Sequence, residues 1–330
     1  MFIHFDNLFQ LELINFFYST AMGGSSSSPA PPPSPLLRKP WRTITWADKQ
    51  SNLQHVKNYK PQTDGQQLRI LLYGSVGAGK SSFINSVTSV IKGQMSKRAG
   101  TANVSGSSHT KKYETYRIQK DGQNTFHPVV LSDTMGLECS TNRRRKVYVK
   151  DIKRAMKGHV KDGYTFNPEC KILKDDQRYI PAPTANDRAH VLVCVVDAST
   201  VSHMREKVIE TLQDIGDEAS DLNIPQVAIL TKIDLICPEI QKDLRNVYKS
   251  KILKQKMEEF SAEVGIPVDC IFPVKNYHDD NTPDNDADTL ILSALRSFIN
   301  LGDDFISGSP SKDRDFREHP PDFNNEPTPI

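Results

Sequence analysis

Residues 70–87 read Ile70-Leu71-Leu72-Tyr73-Gly74-Ser75-Val76-Gly77-Ala78-Gly79-Lys80-Ser81-Ser82-Phe83-Ile84-Asn85-Ser86-Val87. An apolar run suited to a buried strand ends in G-x-x-x-x-G-K-S, and a helix-like stretch follows. This is the spacing of a phosphate-cradling loop in its strand–loop–helix setting. The glycines let the backbone curl so that its N–H groups face inward toward phosphate oxygens. On this reading Gly74, Ser75, Val76, Gly77, Ala78, Gly79, Lys80, Ser81 and Ser82 line a nucleoside triphosphate. Lys80 is expected to reach the β- and γ-phosphates, Ser81 to ligate Mg2+, and the helix N-terminus to add its positive field.

The next marker lies after the apolar run Pro128-Val129-Val130-Leu131, where Asp133-Thr134-Met135-Gly136 forms D-x-x-G. A carboxylate leaving a strand beside the phosphate loop can hold the Mg2+ shell, and the Gly136 N–H can meet the γ-phosphate. Alone the pattern is common; at a strand tip before a helix it carries weight. A third marker, Thr231-Lys232-Ile233-Asp234, follows the strand Val227-Ala228-Ile229-Leu230. Guanine-selecting proteins carry N-K-x-D here. Asp234 would accept two hydrogen bonds from guanine, a donor pair that adenine lacks, so GTP and GDP are the expected ligands. The plainer alternative makes Asp234 a helix cap. Thr231 stands where asparagine is usual, and one hydroxyl offers one tie to the phosphate loop instead of several, so weaker affinity is expected.

Thr110 is the expected third Mg2+ ligand beside Ser81 and Asp133, with Thr101, Ser105 and Ser108 as alternatives in the same Gly/Ser-rich loop. The loop after the last strand, Pro273-Val274-Lys275-Asn276, matches no base-recognition motif. Leu137 follows Gly136 where small GTPases carry a water-orienting glutamine, so intrinsic hydrolysis is expected to be slow. Arg143-Arg144-Arg145-Lys146, with Lys150, Lys153, Arg154 and Lys157, makes a basic stretch. It reads first as a solvated helix face, and second as a phosphate, lipid or nucleic-acid contact or a source of an arginine in trans.

Strands are predicted at 69–73, 113–118, 127–132, 190–197, 226–230 and 269–273. Helices are predicted at 80–92, 145–158, 203–214, 241–263 and 287–300. The second and third strands are separated by a short span containing Asp121-Gly122, a hairpin signal, and should pair antiparallel. The others are joined through helices and should run parallel. The expected class is α/β: a doubly wound, mostly parallel six-stranded sheet with one antiparallel strand, of the P-loop GTPase-like type, between disordered tails. Its ligand is expected beyond the carboxyl ends of the strands.

The organisation expected is an extension and Ser/Pro-rich linker with a short helix over 1–66, the nucleotide domain over 67–302, and a Pro- and charge-rich tail over 303–330. In the first segment Thr45 and Asp48 suggest a capping box, and Trp46, Leu53 and Val56 repeat at helical spacing. Trp41 and Trp46 read as packing residues. Met22-Gly23-Gly24-Ser25-Ser26-Ser27 fits the N-myristoylation pattern. It can anchor lipid only if Met22 initiates the chain or a cut exposes Gly23, and a flexible linker is the plainer reading.

A chain of 330 residues with 37% apolar residues leaves some length outside a compact core. A net charge of +2 argues for neither nucleic acid nor membrane as partner. The five cysteines are scattered and form no C-x-x-C pair, which suits reduced thiols in the cytoplasm.

The phosphate-loop helix through Val87, Tyr164-Thr165-Phe166-Asn167-Pro168, Asp197-Ala198-Ser199 and Leu290-Ile291-Leu292-Ser293-Ala294-Leu295-Arg296 together resemble the interferon-induced protein 44 and 44-like family. The resemblance covers roughly residues 67–305. It implies a guanine-nucleotide-binding domain in a cytoplasmic protein of the interferon-driven antiviral response. Longer members carry an N-terminal TLDc-type domain, and functions resting on it do not carry over. Three functions are weighed: a slow GTPase or GTP switch, a nucleotide-binding scaffold acting through protein partners, and an ATP-dependent P-loop protein, against which Asp234 argues. Self-association fits the first, since a missing glutamine invites help in trans.

Overall fold

The structure is a computed structural model and describes residues 34–96, 99–100, 111–120, 125–137, 141–278, 280 and 282–308. Pro35 and the described residues after it form one compact unit. The N-terminal expectations up to residue 33, including those on Met22, lie outside the described residues.

Six strands make one sheet: β1 (Leu68–Tyr73), β2 (Glu114–Gln119), β3 (Phe126–Asp133), β4 (Val191–Asp197), β5 (Gln226–Thr231) and β6 (Ile271–Pro273). Their order is β2-β3-β1-β4-β5-β6. β2 pairs antiparallel with β3, and every other neighbouring pair is parallel. The expected fold class is the one observed. The interior strands show why: Val191 to Val196 and Val227 to Leu230 are buried at every position. Such continuous apolar runs suit strands covered by helices on both faces. The turn signal Asp121-Gly122 lies outside the described residues, but the Lys120 N–H bonds Thr125 O at 2.9 Å across that turn.

The helices are α1 (Lys49–Asn58), α2 (Lys80–Lys92), α3 (Asn142–Met156), α4 (Glu206–Ser220), the short α5 (Ile233–Ile236) and α6 (Pro238–Lys242), α7 (Lys251–Val264) and α8 (Asn285–Gly308). α2 and α8 cover one face, where Phe298 meets Phe83 at 6.3 Å and Phe272 at 5.4 Å between ring centroids. A fully buried side chain such as Phe83 or Phe298 contributes about 1.5–3 kcal/mol relative to exposure. α1 lies against α8 through Val56 and the ion pair Lys49–Asp288 at 2.7 Å. α3, α4 and α7 pack side by side on the other face.

Three local expectations are corrected. The helix predicted over 241–263 is interrupted: Asp243 and Ser250 are extended, and each side chain caps the segment that follows it. Short polar residues favour caps over helix interiors, and here that preference breaks the run. Thr45 makes no side-chain cap bond; among the described residues Thr184 forms a capping box with Asp187. The last helix runs on to Gly308, because Leu301, Phe305 and Ile306 continue its apolar face.

Between α3 and β4 the chain folds back as a long loop, and a carboxylate of α3 is one of the groups that hold it. Buried Asp151 accepts the Ile172 N–H at 2.9 Å on Oδ1 and the Tyr164 hydroxyl at 3.1 Å on Oδ2. Burial raises its pKa to about 6, although both bonds pull the other way. An acid whose pKa is higher folded than unfolded loses stabilising free energy as pH rises from its ordinary value of about 4 to its folded value, and nothing further above it. Urea unfolding from about pH 4 to about pH 7 should therefore show Asp151→Asn gaining on the wild type by up to ~3 kcal/mol across that window. A pH-independent difference would show that Asp151 does not carry this titration.

Candidate functional site

The carboxyl ends of β1, β3, β4, β5 and β6 bring the sequence markers together. β1 delivers Gly74, whose φ of +143° is open to glycine. A Cβ here would lie 2.1 Å from the Val195 carbonyl oxygen, so the turn off β1 is pressed against β4. Gly77 and Gly79 follow at φ +74° and +94°, and Gly79 leads into α2. Lys80 is buried, and its Nζ donates to the carbonyls of Gly74 and Ser75 at 3.1 Å each. Burial pushes the Lys80 pKa down, and Asp133 opposes that shift. A loop of inward-turning backbone, a held ammonium and a helix N-terminus together make an anion site.

Asp133, at the end of β3, is wholly buried. The Ser81 hydroxyl donates to its Oδ2 at 2.5 Å, while its Oδ1 has no hydrogen-bond partner. Burial raises the Asp133 pKa, against the pull of Lys80 and Ser81. An orphaned carboxylate oxygen beside a serine hydroxyl is a hard-oxygen donor set of the kind that suits Mg2+. The residues that follow are pinned one by one. The Thr134 hydroxyl donates to Leu72 O, the Tyr148 hydroxyl to Met135 O and the Leu137 N–H to Gly74 O, each at 2.9 Å. Gly136 touches the phosphate loop directly; a Cβ there would lie 2.7 Å from Val76 Cγ2. Leu137 is buried, so its side chain presents no polar group at this position.

At the base end, buried Thr231 donates to Ala78 O at 2.7 Å, with Val196 O farther away at 3.2 Å. The tie to the phosphate loop is thus kept with a single hydroxyl. Lys232 sits in the left-handed region at φ +56° and pairs with Asp197 Oδ2 at 2.7 Å. Asp197 is itself held by the Ser199 N–H and hydroxyl at 2.9 and 2.6 Å. The side chain of half-buried Asp234 makes no hydrogen bond or ion pair among the described residues. Thr110, Thr101, Ser105 and Ser108 lie outside the described residues.

Two participants had no role assigned from the sequence. Asp197 ends β4 beside Lys232 and was marked only as part of Asp197-Ala198-Ser199, a stretch that carries the family resemblance. Asn276, from the loop that matched nothing, donates through Nδ2 to Gly79 O at 3.1 Å. The basic stretch is less free than a solvated face. Arg145 pairs with Glu210 and Asp214 at 2.5 and 2.7 Å, Arg144 with Glu169 at 2.8 Å, and Lys153 with Glu218. The acids spaced along α4 at Glu210, Asp214 and Glu218 form the matching stripe.

Phosphate loop, D-x-x-G loop and base-end loop on the carboxyl edge of one parallel sheet define a P-loop GTPase-like domain. Residues 69–232 match the family model described as 50S ribosome-binding GTPase. Human interferon-induced protein 44-like is 34% identical over 262 residues, covering 78% of this chain and 57% of that protein. Human interferon-induced protein 44 is 34% identical over 265 residues, covering 79% and 58%; the mouse protein is 30% identical over 259 residues, covering 78% and 60%. Over that shared stretch the chain belongs with the interferon-induced protein 44 and 44-like proteins, as its motifs imply. It spans under two thirds of the length of these relatives. Toc33 from Arabidopsis thaliana covers 78% of this chain and 92% of its own at 14% identity and a TM-score of 0.47, too loose a likeness to carry any inference here. Among the described residues no helix is long and apolar enough to cross a membrane.

The Gly74 contact yields a sharp test. Gly74→Ala places a methyl group against backbone that cannot swing away, so a loss of at least ~2 kcal/mol in urea stability is expected. An unchanged midpoint would mean that Gly74 and Val195 leave room for a methyl group between β1 and β4.

Proposed function

We propose that this chain is a guanine-nucleotide switch with slow intrinsic GTP hydrolysis, acting in the interferon-induced antiviral response. The observation that carries the reading is the junction of Lys80, Ser81 and Asp133 under the phosphate loop, joined through Thr231 to the loop bearing Asp234. In this reading the N–H groups of Gly74 to Ser82 and the Lys80 ammonium bind phosphate oxygens. Ser81 and Asp133 hold Mg2+, with Thr110 completing the shell. When bound, Mg2+ offsets phosphate charge at the transferring group. The Gly136 N–H meets the γ-phosphate, the Lys232 stem covers the base and the Asp234 carboxylate reads guanine.

Buried Leu137 supports slow turnover, because an apolar side chain cannot orient the attacking water. The same observation favours a second reading, a scaffold that binds nucleotide without turning it over and works through protein partners or self-association. In this reading the nucleotide domain spans 67–302, after an N-terminal segment over 1–66 and before a tail over 303–330 whose first residues, to Gly308, continue α8. A cytoplasmic setting fits described cysteines that are all free. Lipid anchoring enters only if Gly23 becomes N-terminal. The interferon connection rests on the names of the relatives.

Nucleotide selectivity decides the assignment. Lys80→Ala should weaken binding of any triphosphate by ~100-fold or more, since a charge-assisted contact is removed. Asp234→Asn should lose GTP by a similar factor and gain xanthosine triphosphate, whose carbonyl can accept from the new amide. Unchanged GTP affinity in Asp234→Asn would refute guanine recognition. Single-turnover assays separate the two readings: hydrolysis above buffer supports the switch, and none supports the scaffold.

A further inference from the structure

We propose that the loop after β6 forms a working wall of the nucleotide pocket, with Asn276 and Thr231 dividing between them the task of fixing the phosphate loop. The inference rests on the guanine-nucleotide reading above and names a positioning residue for it. A threonine hydroxyl has one proton to give, and Thr231 gives it to Ala78 O. The next carbonyl along the loop, that of Gly79, takes the Asn276 amide instead. Side chains from the ends of two adjacent strands therefore brace two consecutive carbonyls. An asparagine at position 231 would bring two donors on one side chain; in this chain they are split.

The brace is built on fixed ground. The Val274 N–H bonds Leu230 O at 2.8 Å, which extends the pairing of β5 and β6 beside Thr231. The Tyr277 N–H bonds Ser86 Oγ at 2.9 Å on α2. The Tyr277 hydroxyl donates to Asp288 Oδ1 at 2.6 Å on α8 and accepts the Asp284 N–H at 2.7 Å. Asn276 is thus carried by a segment fastened to three elements. It also explains why Gly79 must be glycine beyond its φ: a Cβ there would come 2.9 Å from Asn276 Nδ2 and 3.4 Å from Thr231 Cγ2. Gly79 O accepts the Phe83 N–H at 2.8 Å as well, so the brace seizes the first turn of α2, the turn whose N–H groups face the phosphates. Asn276 Oδ1 is buried without a partner, an acceptor that a nucleotide N–H or a water can meet.

The test uses the full chain and four forms: wild type, Asn276→Ala, Asn276→Asp, and Asn276→Ala combined with Thr231→Asn. Asn276→Asp keeps the volume and removes the donor. Release of fluorescent GDP should be ~10-fold faster in both single variants, the size expected for one lost hydrogen bond. Adding Thr231→Asn should bring release back to within ~3-fold of wild type, because the amide at 231 restores the second donor. Hydrogen exchange of amides 78–83 in nucleotide-free protein should accelerate in both single variants and recover in the double variant. Wild-type protein that holds no guanine nucleotide would overturn the guanine-nucleotide reading, and the exchange arm would then judge the brace by itself. Unchanged release and unchanged exchange in Asn276→Ala would refute the brace. Faster release without recovery on adding Thr231→Asn would reduce Asn276 to a support for its own loop and overturn the shared role.

Discussion

A carboxylate sealed from water at the end of β3 sets the terms for everything around it. Burying a charge costs several kcal/mol even after relaxation, and the cost falls only if opposite charge and hydrogen bonds are close by. Asp133 has the Lys80 ammonium as its main electrostatic support and the Ser81 hydroxyl on one oxygen. The chain that follows is held by one separate bond each at residues 134, 135 and 137. The glycines of the phosphate loop then follow as consequences. Lys80 can reach back to the carbonyls of Gly74 and Ser75 only if the loop curls tightly, and residue 74 can turn so close to β4 only because it has no side chain.

Much of this was legible in the sequence because its signals are local. A phosphate loop declares itself within eight residues, and D-x-x-G and T-K-x-D within four each, so spacing alone carries them. The sheet was readable because parallel strands buried on both faces are continuous apolar runs, and β4 and β5 are such runs without interruption. Helix α2 was bounded correctly at both ends. A glycine starts it and another, Gly93 at φ +66°, ends it, and glycine is the residue that tolerates such geometry.

What escaped the sequence are contacts between distant segments. Asn276 is 197 positions from Gly79, and an asparagine in an unremarkable loop has no local pattern to betray it. The pairing of Lys232 with Asp197 spans 35 positions and depends on β4 and β5 being neighbours. The basic stretch on α3 was incompletely legible for a related reason. Charge counting registers cations but not the acids that α4 presents to them, and packing those two helices draws Arg145 and Lys153 into ion pairs. In the interrupted helix over 241–263, periodicity continued through Asp243 and Ser250, but each side chain had a competing bond to its own backbone.

One carbonyl joins the two halves of the proposed switch. Gly74 O accepts from Lys80 Nζ at 3.1 Å and from the Leu137 N–H at 2.9 Å, so phosphate loop and D-x-x-G loop share a single acceptor. A phosphate that draws Lys80 toward itself removes one of two donors from that oxygen and leaves the Leu137 bond as its partner. Gly74 is seated closely against Val195 of β4. The segment from Thr134 to Leu137 is held more lightly, by single hydrogen bonds of modest net worth, about 1 kcal/mol each. In the guanine-nucleotide reading, this asymmetry makes the phosphate loop the fixed member and the D-x-x-G loop the one that reports what is bound.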